Sequence, residues 1–280
     1  MKKQKVWLVT GSGTGMGFEI VKAALKAGDN VVAAVRSDPE KTADELKDDK
    51  LFVVAMDVTR VDEVKKAVDK AIAKFGRLDV VVNNAGFGFV GAIEEISNEE
   101  TKRQYDTNVF GVLNVIRAVL PQLRGQRSGH IINITSYFGY DALPTYGLYG
   151  STKYAVEGIS QGLALELAAF GIKVTALAPG LFRTKFLQSG SYAKPATMIK
   201  DYDNTVVGQM RSLPEQLHGS QAGDPEKLAK VVVELANLDN PPLHLPVGKD
   251  ALEMFRKGVA KTSQEVEKWA GKLTPTEITN

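Results

Sequence analysis

A glycine-rich segment near residue 10 constrains the fold of this chain more than any other feature of its sequence. Residues 6–9 read as a short buried strand, residues 10–17 run T-G-S-G-T-G-M-G, and Ile20 to Leu25 carry apolar side chains at helical spacing. A second apolar strand follows at 31–35. A glycine loop alone also closes ordinary turns. A strand, a glycine loop, a helix and a strand within about 30 residues are typical of a dinucleotide-binding βαβ unit, with the pyrophosphate at the helix N-terminus.

Apolar runs and helical patterns continue to alternate along the chain, as a doubly wound α/β fold requires. Further strands are predicted near 51–56, 79–83, 131–135 and 172–177, and helices near 61–75, 97–123, 146–167 and 225–235. Ser97 and Glu100 form a capping box, and Pro39 suits the first position of a helix with Asp38 as its N-cap. Because there are no internal repeats or long linkers, we expect one Rossmann-fold domain over residues 1–280, a parallel sheet with helices on both faces.

Composition excludes several classes of protein. The chain is 44% apolar and 24% charged, which is ordinary for a globular protein with a sizeable core. Its net charge of +2 is spread along the chain, so we expect neither a nucleic-acid nor a membrane partner. The absence of cysteine excludes disulfides and thiolate catalysis and fits a reducing cytoplasm. The three histidines lack ligand spacing, so no metal site is predicted.

A tyrosine and a lysine four residues apart, Tyr149 and Lys153, are predicted to share one face of a helix. Such a pair usually means a surface helix, so it needs support from other residues. A free tyrosine has a pKa of about 10, and bringing it to about 7 would take roughly 4 kcal/mol. We expect a close cation, a desolvated pocket and a bound nicotinamide ring to supply this together. Ser136, at the end of an apolar strand, can face the phenol and hold a substrate oxygen.

These motifs together resemble the short-chain dehydrogenase/reductase family. The glycine spacing is T-G-x-x-x-G-x-G, the Tyr149-x-x-x-Lys153 pair follows, and Ser136 precedes the tyrosine by thirteen residues. Further marks of the family are N-N-A-G at 83–86, Asn108, Asp57 after a strand, and P-G-x-x-x-T at 179–184. The resemblance extends from about residue 5 to residue 185.

The resemblance implies hydride transfer between NADP(H) and a carbonyl or alcohol substrate. Tyr149 would be the general acid in reduction and the general base in oxidation, and Lys153 would lower its pKa and hold the nicotinamide ribose. Ser136 would donate a hydrogen bond to the substrate oxygen. Asn108 would hold a water that links Lys153 to solvent, although an Asn that merely bends its helix is the alternative. The implied cofactor-binding residues are Gly11, Ser12, Thr14, Gly15, Met16, Gly17, Arg36, Ser37, Asp57, Val58, Asn84, Ala85, Gly86, Tyr149, Lys153, Pro179, Gly180, Phe182 and Thr184.

The choice between NADP(H) and NAD(H) depends on the end of the second strand. Binders of NAD place an acid there for the ribose 2′-hydroxyl. Here Val35 occupies that place, and Arg36 and Ser37, which suit a 2′-phosphate, follow it. Asp38 lies past the strand, where an N-cap explains it. We therefore expect NADP(H) rather than NAD(H), with a solvated Arg36 as the alternative.

The substrate is expected to be a small apolar, aromatic or alicyclic ketone. The predicted pocket residues around Tyr149 are Phe138, Leu143, Tyr146 and Phe186, with Phe87, Phe89, Phe182 and Met198 as further candidates. Three alternatives remain open: a regulator that binds NADPH without turnover, an NAD-dependent alcohol or steroid dehydrogenase, and a nucleotide-sugar epimerase or dehydratase. The glycine spacing argues against the epimerase.

Two regions depart from the regular alternation. Residues 186–221 show weak helical signals and follow the 179–184 motif directly, so we predict a substrate lid there. Residues 249–280 form a charged amphipathic helix where many members of the family carry a glycine-rich segment that builds a tetramer. The replacement of that segment disfavours a tetramer, whereas a homodimer remains possible. A helix that only covers the core, with no role in assembly, is an equally good interpretation of residues 249–280.

Overall fold

The fold is a parallel sheet enclosed by helices, described here from a computed structural model. The structure describes residues 4–184, 186, 191–273 and 278. In this part of the chain seven strands form one parallel sheet. They are β1 Val6–Thr10, β2 Asn30–Val35, β3 Leu51–Ala55, β4 Val80–Asn83, β6 Gly129–Ile134, β7 Ile172–Pro179 and β9 His244–Val247. Their order across the sheet is β3-β2-β1-β4-β6-β7-β9. The doubly wound α/β prediction is confirmed.

Helices cover both faces of this sheet, and short elements complete the chain. The helices are α1 Gly15–Lys26, α2 Pro39–Leu46, α3 Val61–Phe75, α4 Asn98–Tyr105, α5 Gly111–Gln126, α6 Gly147–Leu167, α7 Val206–Arg211, α8 Leu213–Leu217, α9 Pro225–Leu235 and α10 Lys249–Leu273. Two short strands, β5 Gly88–Phe89 and β8 Tyr192–Ala193, pair in a separate ribbon. Among the described helices, none has the length and apolarity to cross a bilayer.

The two faces of the sheet bury different residues because side chains alternate along a strand. Val6 and Leu8 of β1 pack in a core with α3, α5 and α6. Trp7 and Val9 point to the opposite side and pack in a second core with α1 and α9. All four are buried at 2% exposure or less, which explains why β1 reads as a continuous apolar run.

The order of the strands fixes where a ligand can bind. β2 pairs with one edge of β1, and β4, the fourth strand along the chain, pairs with its other edge. The direction of winding therefore reverses between β1 and β4, which leaves a crevice outside the carboxyl ends of these strands. The glycine loop follows β1 and the N-N-A-G segment follows β4, so both lie at this crevice.

Several local predictions are confirmed and others need correction. The capping box holds, since Ser97 Oγ accepts from the Glu100 amide at 3.2 Å and the Ser97 amide donates to Glu100 Oε2 at 2.9 Å. The helix predicted over 97–123 contains a wider π turn at Asp106–Phe110. Asp38 is not a side-chain N-cap: it is left-handed, with φ of 53°, and makes no capping hydrogen bond. Its carboxylate is therefore not committed to α2.

The predicted lid region contains regular structure in its described part. β8, α7 and α8 lie within it, and β8 pairs with β5. Residues 187–190 of the predicted lid lie outside the described residues, as do 274–277 and 279–280 of the predicted C-terminal extension. The helix predicted for that extension is confirmed as α10.

Candidate active site

One cavity of about 910 Å³ joins the glycine loop to the aromatic residues around Tyr149. It lies at the carboxyl ends of the central strands, where the strand order reverses. Of the predicted site residues, those that line it are Gly11, Thr14, Gly15, Met16, Arg36, Ser37, Asp57, Val58, Asn84, Ala85, Gly86, Phe87, Ser136, Phe138, Tyr146, Tyr149, Lys153, Pro179, Gly180, Phe182, Thr184 and Phe186. The fold thus brings together residues from six separate segments of the sequence, namely 11–16, 36–37, 57–58, 84–87, 136–153 and 179–186.

The glycine loop packs against the loop after β4. Gly11 has a φ of 63°, and a Cβ at this position would lie 2.8 Å from Cα of Ala85. Thr10 Oγ1 accepts hydrogen bonds from the amides of Asn84 and Ala85, each at 3.0 Å. Asn84 Nδ2 donates to the carbonyl oxygens of Thr10 and Gly11, also at 3.0 Å. The two loops therefore form one rigid floor, for which glycine at position 11 is a requirement.

Two predicted cofactor residues support the loop without lining the cavity. Ser12 is fully buried, and its hydroxyl donates to the carbonyl oxygen of Ala34 at 3.0 Å. Gly17 lies within α1, where a Cβ would approach the Gly11 carbonyl oxygen to 2.4 Å. The sequence motif marks both positions because they shape the loop; the surface of the cavity belongs to their neighbours.

The N-terminus of α1 is suited to an anion. Gly13, Thr14, Gly15 and Met16 line the cavity at this point. Thr14, the N-cap residue, makes no side-chain capping bond, and the first turn carries no acidic residue. The first amides of a helix lack intrahelical partners and carry the positive end of the helix dipole. An anionic group such as a pyrophosphate therefore fits here.

Ser136, Tyr149 and Lys153 converge where β6 ends and α6 begins. Their exposures are 5%, 8% and 6%, so the group is screened from bulk water. The Lys153 ammonium donates a hydrogen bond to the Ile134 carbonyl oxygen at 2.9 Å and lies 5.5 Å from the centre of the Tyr149 ring. A glycine is needed opposite the phenol, because a Cβ on Gly88 would lie 2.8 Å from Cδ2 of Tyr149.

Burial shifts the pKa values of these groups. It raises the pKa of Tyr149 well above its ordinary value, and hydrogen bonding with Ser136 acts in the opposite direction. The expectation that a desolvated pocket helps to lower this pKa is therefore wrong, since desolvation disfavours the phenolate. Burial also lowers the pKa of Lys153 to about 8, while the nearby Glu157 carboxylate raises it.

Glu157 is a part of the site that sequence reasoning missed. It is 4% exposed on α6, one turn after Lys153. One carboxylate oxygen accepts from Thr135 Oγ1 at 2.7 Å, and the other lies 2.9 Å from His244 Nδ1 in β9. The sequence signal was a carboxylate four residues after the lysine on the predicted helix. Its partner His244 could not be found without the fold, because it lies 87 residues away along the chain.

Asn108 lies in the π turn and is 1% exposed. Its Oδ1 accepts from the Phe87 amide at 3.0 Å. Its Nδ2 donates to the Phe87 carbonyl oxygen at 2.8 Å and to Thr152 Oγ1 at 3.1 Å. A Cβ on Gly86 would lie 3.2 Å from Asn108 Oδ1 and 3.8 Å from Lys153 Nζ, so the three residues are neighbours. Asn108 fixes the loop after β4 beside the lysine and does not itself line the cavity.

The part of the cavity next to the end of β2 is lined by both cations and carboxylates. Arg36, Ser37 and Asp38 are exposed at the end of β2, and all three line the cavity. Lys41, in the first turns of α2, lines it as well and was not predicted. Asp57 and Val58, which follow the neighbouring strand β3, also line this part of the cavity, and Asp57 Oδ1 accepts from the Thr59 amide and hydroxyl at 2.9 and 2.8 Å.

The 179–184 segment is held by the C-terminal helix. The Leu181 amide donates to Asp250 Oδ2 at 2.7 Å, and the Gly180 amide donates to the Val247 carbonyl oxygen at 2.9 Å. A Cβ on Gly180 would lie 2.1 Å from the Asp250 carboxylate, so a larger residue here would displace that carboxylate from the Leu181 amide. The first turn of α10 therefore supports the cavity wall, a role that its amphipathic pattern did not indicate.

Aromatic side chains surround the phenol of Tyr149. Phe138 stacks on Tyr146 with ring centres 4.4 Å apart and meets Tyr149 edge-on at 6.0 Å. Phe186 lies 6.0 Å from Tyr149 on another side. Leu143 packs behind this cluster but opens onto a different pocket, beside Ile93.

Two further predicted pocket residues lie away from the cavity, and two further residues that line it were not predicted. Phe89 is buried at 1% exposure and Met198 is 44% exposed, and neither lines the cavity. Tyr192 and Gln221 line it and were not predicted. The Tyr192 hydroxyl and both amide atoms of Gln221 are buried and, in the described structure, lack hydrogen-bond partners. Both lie within the predicted lid at 186–221, but its weak pattern did not single out individual residues.

A dinucleotide-sized cavity that ends at a buried serine, tyrosine and lysine defines a nucleotide-dependent oxidoreductase site on a Rossmann fold. Comparison with known proteins agrees. The sequence profile of the short chain dehydrogenase family matches residues 5–194. Oxidoreductase BOA17 of Botryotinia fuckeliana is 40% identical over 267 residues, which cover 95% of this chain and 96% of that protein.

Solved structures give the same result. A short-chain dehydrogenase from Streptomyces avermitilis superposes with a TM-score of 0.91 at 35% identity and covers 99% of this chain and 100% of its own. ElxO with NADP bound superposes with a TM-score of 0.74 at 31% identity, covering 90% and 100% of the two chains. The chain belongs to the short-chain dehydrogenase/reductase family of oxidoreductases.

Proposed function

We propose that this protein is an NADPH-dependent carbonyl reductase that converts an apolar or aromatic ketone into a secondary alcohol. The observation that carries the proposal is the convergence of Ser136, Tyr149 and Lys153 at one end of the cavity whose other end is the glycine loop. The reverse reaction, oxidation of the alcohol, uses the same groups.

The chain's residues supply the proton and hold the substrate. When bound, NADPH supplies the hydride for the carbonyl carbon. Tyr149 donates a proton to the carbonyl oxygen, and Ser136 donates a hydrogen bond to the same oxygen as its negative charge develops. Lys153, fixed by the Ile134 carbonyl oxygen, stabilises the phenolate that remains. General acid catalysis of this kind typically contributes about 10²–10⁴-fold.

The cofactor-binding residues are assigned from the shape of the cavity. The amides of Thr14 to Met16 at the start of α1 would hold the pyrophosphate, and Asp57 and Val58 would border the adenine. Asn84 to Gly86 form the floor, and Pro179, Gly180, Phe182 and Thr184 would border the nicotinamide. The uncapped α1 N-terminus supports this assignment.

NADPH is proposed over NADH because of charge at the end of β2. Arg36 and Lys41 both line the cavity there, and a 2′-phosphate would accept charge-assisted hydrogen bonds from them. Asp38 is the counter-argument, because it lines the same region and its carboxylate is free of a capping role. The Asp57 carboxylate also lines this region, but it accepts hydrogen bonds from the Thr59 amide and hydroxyl. The two cations Arg36 and Lys41 favour the phosphate, and the NADP-bound relative ElxO supports this choice.

The substrate end combines an aromatic wall with two polar groups. Phe138, Tyr146 and Phe186 offer ring faces to an apolar or aromatic substrate. The buried, unpartnered polar atoms of Tyr192 and Gln221 favour a substrate with a second hydrogen-bonding group away from the reacting carbonyl. Aromatic ketones with and without such a group form the natural comparison.

The test is NADPH oxidation followed at 340 nm with a panel of cyclic, aryl and aryl-hydroxy ketones. The proposal predicts turnover with several aryl ketones and little with free sugars. A regulator that binds NADPH without turnover would show NADPH binding, for example by quenching of tryptophan fluorescence, and no oxidation with any member of the panel. That result would overturn the proposal.

A further inference from the structure

The C-terminal helix α10 extends beyond the body of the protein after its first turns. Its beginning is fixed, because Ala251 and Gly258 are buried and Phe255 meets the Tyr140 ring edge-on at 4.8 Å. Every residue from Val259 to Trp269 is exposed, and the described helix continues to Leu273. About 15 residues, or roughly 22 Å of helix, therefore project from the fold.

The exposed part of α10 carries an apolar stripe with a seven-residue repeat. Leu252, Val259, Val266 and Leu273 are spaced by seven residues, and Trp269 follows Val266 by three. Their exposures are 37%, 52%, 58%, 70% and 47% in that order. These five are the large apolar side chains exposed on the described helix. A repeat of 3.5 residues per turn is the a/d seam of a left-handed coiled coil.

We propose that two copies of this chain pair through the outer part of α10 as a short antiparallel coiled coil. The register that centres the pair between Val266 and Trp269 places Val266 against Trp269 of the second copy, and this contact occurs twice by symmetry. The same register places Leu273 against Thr262 of the second copy. The two Leu273–Thr262 contacts thus lie on either side of the two central Val266–Trp269 contacts. This pairing removes the Trp269 rings from water.

Charges beside the seam fit this antiparallel register. Glu265 and Lys272 each directly precede a seam residue, Val266 and Leu273 respectively, and therefore flank the seam. In the antiparallel pair they face each other across the seam, so that two Glu265–Lys272 pairs form between the copies. A parallel pair would place Glu265 opposite Ala270 and would gain no ion pair. The charge pattern therefore selects the antiparallel arrangement.

A membrane surface is the rival occupant of an amphipathic helix. Helices that lie in the interface have a broad apolar face with basic residues on the polar side. The stripe on α10 is narrow, and Glu265 and Glu267 lie among its lysines. A second copy of the chain fits this pattern better than an anionic lipid surface.

The seam is tested by Trp269→Asp and Val266→Asp, with Lys261→Asp as the matched control outside the seam. Sedimentation velocity over a concentration series measures the average mass. We expect the unmodified protein and the control to associate with rising concentration, and the two seam variants to lose that step. Equal masses for Trp269→Asp and the unmodified protein would overturn the proposal, as would a lack of association in the unmodified protein.

The register is tested by reversing charges. Glu265→Lys and Lys272→Glu should each weaken self-association by roughly 5- to 30-fold, because each brings two like-charged pairs together. A one-to-one mixture of the two variants should recover association, since opposite charges then meet at both places. The control Glu267→Lys makes the same change in net charge outside the seam and should have little effect. An equal effect of the control would contradict the proposed register.

The direction of the helices can be measured because the chain has no cysteine. A nitroxide label on Lys268→Cys should lie close to its symmetry mate, whereas labels on Lys261→Cys should be about 20 Å apart along the axis. Equally short distances at both positions would mean a parallel pair. If the protein instead bound phosphatidylserine vesicles through α10 and did not self-associate, the apolar face would be a membrane-binding surface and the proposal would be refuted.

Discussion

The Lys153 ammonium lies 2.9 Å from the carbonyl oxygen of Ile134, the last residue of β6. This hydrogen bond fixes the lysine on α6 to the strand that leads directly into Ser136. The relative positions of the serine and the lysine are therefore set by one contact between a helix and a strand. The buried Glu157 carboxylate on the same helix balances the positive charge.

The pH dependence of reduction should follow the state of Lys153. Its pKa of about 8 means that the ammonium loses its proton as the pH rises through 8, and the support for the Tyr149 phenolate is then lost. We expect the rate of reduction to fall above this pH. Glu157→Gln removes the charge that raises the pKa of Lys153. The fall in the rate of reduction at high pH, the alkaline limb of the pH profile, should therefore move to lower pH.

The matched control for this variant is Glu166→Gln, an exposed position on α6. Profiles of kcat/KM against pH, measured with saturating cofactor, check the prediction. A limb that stays in place in Glu157→Gln, or that moves to higher pH, would show that Glu157 does not act on the lysine.

Cofactor choice should depend on Arg36. Charge-assisted hydrogen bonds to a 2′-phosphate are strong, so Arg36→Ala should raise the KM for NADPH roughly 10- to 100-fold with little change for NADH. Lys41→Ala should have a smaller effect in the same direction. Arg60→Ala, at an exposed arginine outside the cavity, is the control.

Asp38→Asn distinguishes the rival cofactor. If Asp38 bound the ribose 2′-hydroxyl of NADH, its loss would raise the KM for NADH, whereas the NADPH assignment predicts equal or better use of NADPH. Equal efficiency of the unmodified protein with both cofactors would argue against the role given to Arg36.

The predicted lid should depend on a buried ion pair. Arg211, at the end of α7, bonds to Glu95, whose side chain is fully buried, and to Asp203 Oδ1 at 2.7 Å. Breaking a buried pair typically costs about 3–5 kcal/mol, because a charge is left unpaired. Arg211→Met should therefore speed cleavage within 191–221 in limited proteolysis and raise the KM for the ketone.

Lys194→Met provides the control, since the ion pair of Lys194 with Glu215 is exposed and should contribute only about 0–1 kcal/mol. NADPH with a substrate analogue should slow proteolysis of this segment in the unmodified protein. Unchanged cleavage of 191–221 in Arg211→Met and with ligand would mean that the segment is a static part of the scaffold.

Gly17 should be essential for the shape of the glycine loop. Its replacement by alanine places a Cβ 2.4 Å from the Gly11 carbonyl oxygen, and this backbone atom cannot move without disturbing the loop. Gly17→Ala should weaken NADPH binding by at least tenfold in a fluorescence titration. Gly162→Ala on α6, where the Cβ meets open space, should leave binding unchanged and stabilise the fold by about 0.5–1 kcal/mol. Tight NADPH binding by Gly17→Ala would contradict the close packing of the loop.

Local patterns predicted the elements of this fold well, because they depend on neighbouring residues. The β1 strand, the glycine loop, the Ser97 cap and the Tyr149–Lys153 helix face all follow from short-range spacing. Long-range partners could not be predicted in this way. His244 reaches Glu157, and Asp250 reaches Leu181, only because β9 and α10 return to the sheet.

Electrostatic predictions also depended on the fold. The sequence shows that Lys153 lies near Tyr149, but it does not show how deeply both are buried. Burial reverses the sign of the expected contribution to the pKa of Tyr149. Similarly, the left-handed backbone of Asp38 removed an N-cap that its position before Pro39 had indicated.

We propose Tyr149 as the proton donor in ketone reduction, and Tyr149→Phe tests this role most directly. Single-turnover reduction of an aryl ketone by preloaded NADPH is measured in this variant and in Tyr154→Phe, a half-exposed control on the same helix. We expect the Tyr149 variant to bind NADPH as the unmodified protein does, and to reduce the ketone about 10²–10⁴-fold more slowly, with the control unaffected. A Tyr149→Phe enzyme that keeps a tenth or more of the original rate would contradict the claim.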